Sequence, residues 1–317
     1  MHIVEESIII TGGTGNLGSE LLQMLVDLPC FTGFLSGVGR NQVNLSAPPH
    51  AIKSALDQIN PPIIINAAAY TNVDQAESEP ELADQVNHVA VRAMAEWARD
   101  NGKRLIHIST DYVFDGKKGA PYTPQDSTCP INAYGKSKAL GEEAIMAVYP
   151  ERSTIIRTSW LYGQKQTGFV WFVINAAQAA RNHALYPNKC SKPDPIKVAH
   201  DQTGTPTCVS DLCSVIIDVL QHPVYGIVHG CATGQTTRYE QALLLCQAMT
   251  VPPDFMVPQA TADFNFAAPR PANTAMETSF ESMPGWDGGL RAFCSYNDLH
   301  NAKRPDALES KLSPVST

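Results

Sequence analysis

The twelve residues Ser7–Gly18, SIIITGGTGNLG, decide the fold. Ser7 to Thr11 is a short apolar run that stops at glycines, the pattern of a strand buried on both faces. Leu17, Leu21, Met24, Leu25 and Leu28 then recur at helical spacing. Between them, Thr11 to Gly18 fits T-G-x-x-G-x-x-G. Glycines here allow a tight turn and let backbone approach a pyrophosphate, whose charge is drawn to the N–H groups and positive end of the following helix. A glycine pattern alone is weak; one lying between a strand and an amphipathic helix is specific. Gly12, Thr14, Gly15, Asn16, Leu17 and Gly18 are therefore expected to hold a dinucleotide.

The strand-then-helix rhythm continues outward. Ile63–Ala67 reads as a buried strand, and Leu82, Val86, Val89, Ala90, Ala93 and Trp97 mark one face of a long helix ending near Gly102. Leu105–Ser109 is a third clear strand, 137–148 a helix and Thr154–Ser159 a fourth strand. Alternation of this kind predicts an α/β fold, a Rossmann-type doubly wound parallel sheet. After about residue 160 the rhythm weakens. Tyr186–Lys197 and Pro252–Pro271 read as loops, with helical stretches at Val209–Leu220 and Tyr239–Met249. The expected division is a nucleotide-binding domain over 1–163, its core continuing in part to about 235, a smaller C-terminal substrate-binding lobe over 164–300, and a polar, disordered tail over 301–317.

The bulk numbers limit the function. The chain has 317 residues and a formal net charge of −8, which argues against nucleic acid as a partner. Eight cysteines include no C-x-x-C pair and no accompanying histidine cluster, so they read as mostly buried free thiols rather than a metal or redox site. Glu5 and Glu6 precede the first apolar run, unlike a secretory signal, and no run has the ~20 apolar residues that span a bilayer. Cytoplasmic location without membrane association is the expectation.

Two further patterns carry chemistry. Tyr134-Gly-Lys-Ser-Lys138 sets a phenol and an ammonium four residues apart, on one helix face. A neighbouring ammonium favours the phenolate and so makes the tyrosine a proton donor at neutral pH. Ser109-Thr110 closes a buried strand, where open α/β sheets bind ligands, so Thr110, Tyr134 and Lys138 form the expected catalytic set. An acidic residue after the second strand would hold the ribose 2′-hydroxyl of NAD, but no Asp or Glu lies between Asp27 and Asp57, and Arg40 follows the segment Gly33–Gly39. Arg40 facing a 2′-phosphate favours NADPH over NADH.

These residues together resemble the extended short-chain dehydrogenases/reductases, and more closely the dTDP-4-dehydrorhamnose reductase family. The resemblance rests on Asn66-Ala-Ala-Ala-Tyr-Thr71, Val73-Asp74, Ala76-Glu77, Glu79-Pro80 and Ser109-Thr-Asp-Tyr-Val-Phe-Asp-Gly116. It extends through the Tyr134 motif, Arg157-Thr-Ser-Trp-Leu-Tyr-Gly163, Asp201-Gln202, Gly204, Pro206-Thr207 and Arg270-Pro271. It covers roughly residues 7–295. It implies hydride reduction of the 4-keto group of a nucleotide-linked sugar, dTDP-4-dehydro-L-rhamnose, with Tyr134 as proton donor. Asp111, Tyr112 and Trp160 would then meet the sugar, Arg270 the nucleotide end, and Asn66, Ala67 and Ala68 the adenine-ribose side of the cofactor. Homodimerisation and, in some members, magnesium also follow from the resemblance, although no carboxylate cluster argues for a metal. Two departures stand out: the long Tyr186–Lys197 loop, and Thr274 where a serine is expected. They leave open another nucleotide-linked 4-keto-6-deoxy sugar. A non-catalytic NADP-binding regulatory subunit, like the beta subunit of methionine adenosyltransferase, is the alternative from a different class.

Overall fold

A computed structural model describes residues 6–299, so the expected tail over 301–317 and Glu5 lie outside the described residues. Strand β1 (Ile8–Thr11) turns through the glycines into helix α1 (Asn16–Val26), followed by β2 (Leu35–Val38), α2 (Pro49–Ile59) and β3 (Ile63–Asn66). Helices α3 (Gln75–Ser78), α4 (Pro80–Asp84) and α5 (Ala90–Asp100) lead to β4 (Arg104–Thr110), and α6 (Ala133–Val148) leads to β5 (Ser153–Thr158). The chain continues through β6 (Leu161–Tyr162), α7 (Gly168–Leu185), β7 (Ile196–Ala199), β8 (Thr203–Gly204), β9 (Thr207–Cys208), α8 (Val209–Gln221) and β10 (Gly226–His229). It closes with β11 (Thr236–Thr237), α9 (Arg238–Ala248), β12 (Met256–Gln259) and α10 (Trp286–Tyr296).

Six strands form one parallel sheet in the order β10-β5-β4-β3-β1-β2. The chain winds outward in both directions from β1 and β3, so the loops at their carboxyl ends diverge and leave a crevice. Alternate residues of each strand feed opposite cores. Ile8 and Ile10 pack with Leu17, Leu21 and Leu25 of α1 and with Leu212 and Ile216 of α8. Ile9 and Ile64 pack with Leu56 of α2, Met94 and Trp97 of α5 and Ile145 of α6. A fully buried isoleucine of this kind contributes roughly 1.5–3 kcal/mol. A separate core joins Val173 and Ile174 of α7, Leu245 of α9, Phe255, and Leu290 and Phe293 of α10.

The elements depart from the sequence expectation where tertiary contacts override local pattern. The long helix expected around Leu82–Trp97 is broken by a π-helical turn over Gln85–Val89. That turn aims Asn87 at its neighbours: its amide donates to Ser137 Oγ of α6 and Tyr70 O, and its oxygen accepts from Tyr70 N. Gly141 of α6 passes so close that a Cβ there would lie 2.2 Å from Asn87 O. The stretch after residue 160, read as irregular, contains the 18-residue α7 and also α10. Pro252–Pro271 is not wholly loop either, because β12 pairs with β7. Six cysteines are buried, Cys129 is exposed, and all eight are free. No helix among the described residues is long and apolar enough to cross a membrane.

Candidate functional site

A cleft of about 780 Å³ opens over the carboxyl ends of the strands, running from the glycine turn to the Tyr134 helix. The turn is closed by the Gly15 N–H donating to Gly12 O at 2.7 Å. Gly12 has φ +70°, and a Cβ on Gly18 would lie 2.3 Å from Gly12 O, so both positions need glycine. Helix α1 begins at Gly15 with no side-chain cap, which leaves its first N–H groups facing the cleft. Asn16 Oδ1 is buried there without a partner. A cradle that any Cβ would fill, open N–H groups and one orphan polar atom suit the phosphates of a dinucleotide.

The predicted residues divide between wall and support. Gly12, Thr14, Gly15, Asn16, Leu17, Arg40, Ala67, Ala68, Thr110, Asp111, Tyr112, Tyr134, Lys138 and Trp160 all line the cleft. Gly18, Asn66 and Arg270 do not. Gly18 lets α1 pack on the turn. Asn66, buried at the end of β3, accepts the Thr11 hydroxyl at 2.6 Å, and its amide lies 3.0 Å from His107 Nδ1. Arg270 is held against Asp74 at 2.7 Å, donates to Ala268 O and lies over the Phe266 ring. These contacts lock the loop that carries it. Asp74 also accepts from Ala268 N, so this carboxylate fastens the segment around Arg270.

Thr110, at the end of β4, brings the catalytic group together. Its hydroxyl accepts from Tyr112 N and donates to Asp111 Oδ1 at 3.1 Å, and it lines the cleft together with the Tyr134 phenol. Asn132 caps α6 by accepting from Gly135 N, which fixes the turn that carries Tyr134. Lys138 is buried, with Nζ donating to Ile108 O at 2.6 Å and lying 3.0 Å from His107 Nε2. Burial pushes Lys138 down to about 8. His107 is held well below its ordinary value by burial and by the Lys138 charge, so it is neutral. Tyr134 is raised above its ordinary value, by burial first, with the Thr110 hydrogen bond acting the other way. The sequence expectation was the reverse, a phenol lowered by Lys138. In the structure the ammonium is spent on Ile108 and His107, and the dry surroundings of the phenol dominate.

The end of the cleft beyond Thr110 has two charged groups. Asp111 accepts from Thr274 Oγ1 at 2.5 Å, and burial raises its carboxyl to about 6 against these hydrogen bonds. Thr274 thus fills the hydroxyl role expected of a serine. Arg238 also lines the cleft and was not singled out from the sequence. Its guanidinium sits 3.4 Å from the Trp160 ring centroid. No local motif surrounds Arg238, so only the fold reveals it. Among the described residues no group of three or more His, Cys, Asp or Glu is placed to hold a metal.

Comparison with known proteins places these features in a family. The model described as RmlD substrate binding domain matches residues 6–285. A probable dTDP-4,6-dihydroxy-2-methyloxan-3-one 4-ketoreductase of Streptomyces antibioticus is 34% identical over 94% of this chain and 97% of its own. A dTDP-4-dehydrorhamnose reductase of Mycobacterium tuberculosis is 33% identical over 88% of both chains. The crystal structure of a dTDP-4-dehydrorhamnose reductase from Bacillus anthracis in complex with NADP superposes with TM-score 0.81 at 31% identity, covering 92% of this chain and 99% of that one.

Proposed function

The chain belongs to the RmlD substrate binding domain family, and on that premise we propose that it is an NADPH-dependent reductase acting on the 4-keto group of a dTDP-linked 6-deoxy sugar, dTDP-4-dehydro-L-rhamnose being the substrate its relatives indicate. The observation that carries the reading is the meeting of Thr110, Tyr134 and Lys138 in one cleft with the glycine turn. A purely regulatory NADP-binding subunit has no need of a buried proton donor set at the carboxyl end of β4.

The residues present suit a dinucleotide cofactor. Gly12, Thr14, Gly15 and Asn16 take its phosphates, Ala67 and Ala68 line its adenine-ribose side, and Arg40 meets a 2′-phosphate. When held there, the cofactor would supply hydride for the sugar carbon. As negative charge gathers on the carbonyl oxygen, Tyr134 gives it the phenol proton, and the Thr110 hydroxyl orients that oxygen. A phenol raised by burial keeps its proton until this moment and still donates downhill to an alkoxide, the stronger base. Lys138, anchored by Ile108 O and His107, would hold the cofactor ribose. The chain Thr11–Asn66–His107–Lys138 is a positioning device, tying the start of the glycine turn to the lysine.

On this reading the separate core of α7, α9 and α10 is the substrate lobe, while α8 and β10 remain with the nucleotide-binding domain. Self-association as a homodimer belongs to the same reading, and light scattering after gel filtration checks it. The decisive assay follows NADPH absorbance with dTDP-4-dehydro-L-rhamnose generated in situ. Consumption by the wild type and its loss in Tyr134→Phe support the reading. A wild type that binds NADPH yet reduces no dTDP-linked keto sugar overturns it.

A further inference from the structure

Arg238 is the first residue of α9, beside the positive end of its own helix, where a cation is disfavoured. The carboxylate nearest in sequence gives it no relief: Glu240 is occupied with Thr237 N at 2.9 Å and Thr236 Oγ1 at 3.2 Å, completing the capping box. Among the described residues no carboxylate lies within ion-pair distance of Arg238. Its one side-chain hydrogen bond among the described residues is a long one, Nη1 to Gln241 Oε1 at 3.3 Å. Such a guanidinium is costly to hold in a cleft wall unless an anion completes it.

The surroundings hold it in place nonetheless. The guanidinium lies 3.4 Å from the Trp160 ring centroid and 4.9 Å from that of Phe169. Trp160 itself has φ +46°, a left-handed conformation that a bulky residue adopts only under strain. The Trp160 indole is set by Gly204, where a Cβ would lie 2.3 Å from Cε2. Strained backbone, a glycine and two aromatic rings thus present one cation that no carboxylate meets at ion-pair distance among the described residues. Its field reaches Asp111 and Tyr112, which places it at the sugar end, away from the glycine turn.

We propose that Arg238, held on Trp160, docks the diphosphate of the nucleotide-linked sugar. The inference rests on the reductase reading and deepens it by assigning the residue that recognises the charged part of the substrate. Two phosphate oxygens match the planar fork of a guanidinium, and a neutral hydroxyl does not call for a full charge. Trp160 is then chiefly the platform for Arg238, and only through it a contributor to substrate binding.

The test is calorimetric titration of the full chain saturated with NADP+, using thymidine 5′-diphosphate, inorganic pyrophosphate and thymidine as probes. The proteins are wild type, Arg238→Met and Arg238→Lys. Arg238→Met is expected to weaken thymidine 5′-diphosphate and pyrophosphate by roughly 10- to 100-fold, with thymidine and NADP+ affinities unchanged and Arg238→Lys in between. Equal affinity of wild type and Arg238→Met for both anions overturns the proposal. So does a parallel loss for thymidine, which marks a collapsed wall, or a loss for NADP+, which assigns Arg238 to the cofactor's phosphates. If wild type binds pyrophosphate through Arg238 but rejects thymidine 5′-diphosphate, the docking role stands and the nucleotide in the reductase reading is wrong.

Discussion

Arg157, buried under the ends of β4 and β5, and Arg238, partly exposed in the cleft wall, are treated oppositely by the fold. Arg157 has its counter-charge built in: Nη2 and Nε reach both oxygens of Glu142, at 2.6 and 3.0 Å. Ser109 Oγ donates to the same carboxylate, and the Phe114 ring lies beneath the guanidinium. Arg238 has one long hydrogen bond and two aromatic rings. The same division runs through the neighbouring groups. Thr11, Asn66 and His107 satisfy one another, whereas Asp111 and Tyr134 are buried in environments that oppose their charge. Groups completed inside the chain build the site. Groups left incomplete are the ones that meet ligand.

If that division is right, substitutions in the two regions separate stability from turnover. The largest effect is expected from Tyr134→Phe, which should lower kcat by roughly 10²- to 10⁴-fold. NADPH affinity and the urea midpoint should stay where they are, since no partner is left stranded. Arg157→Met does the reverse. It strands Glu142 in the interior and should cost roughly 3–5 kcal/mol in urea unfolding. An Arg157→Met protein of undiminished stability would break the comparison, as would a Tyr134→Phe protein that unfolds early.

Legibility in the sequence follows the same line. The glycine turn, β1, β3, β4 and the Tyr134 pair are local patterns, and the structure puts them in one cleft. Residues that act through distant partners carry no local signal. Arg270 has its ion-pair partner in Asp74, 196 positions away. Asn66 is a support because Thr11 and His107 meet it across three strands. Arg238 gave no signal, because its meaning depends on Trp160 and on the absence of a nearby acid, and neither is a spacing. The helix α7 escaped notice because apolar residues crowd several of its faces and blur the 3.6-residue period.

Asp111 offers a subtler probe. Its folded carboxyl, raised from 3.8 to about 6, binds a proton more tightly than the unfolded chain does. The stability from that proton is present below about 3.8 and is lost as pH climbs through about 6, a change on the order of 3 kcal/mol. His107 and His229 pull the other way: burial keeps both neutral when folded, His229 at about 4, so their contribution fades as pH falls. The quantity to measure is therefore the difference between Asp111→Asn and wild type in thermal midpoint across pH 4 to 7. It should move in favour of the variant as pH rises and then level off. A flat difference would mean that burial does not disfavour the charged form of Asp111.

The smallest effect is expected at the mouth of the cleft, and it tests the comparison at its limit. Arg40 is exposed and, like Arg238, lies on the cleft wall with no carboxylate bound to it among the described residues. Unlike Arg238, it stands in water, where a guanidinium needs no counter-ion. If incompleteness matters only when burial makes it costly, Arg40→Ala should leave stability untouched. It should raise the KM for NADPH by roughly two- to fivefold, in the range of an exposed ion pair, and more weakly as salt is added. The KM for NADH should not move, because the 2′-phosphate is the only group Arg40 is positioned to meet. A large, salt-insensitive effect on both cofactors would show that Arg40 works in a closed, dry pocket. The boundary between building and binding groups would then lie further out than the buried cations place it.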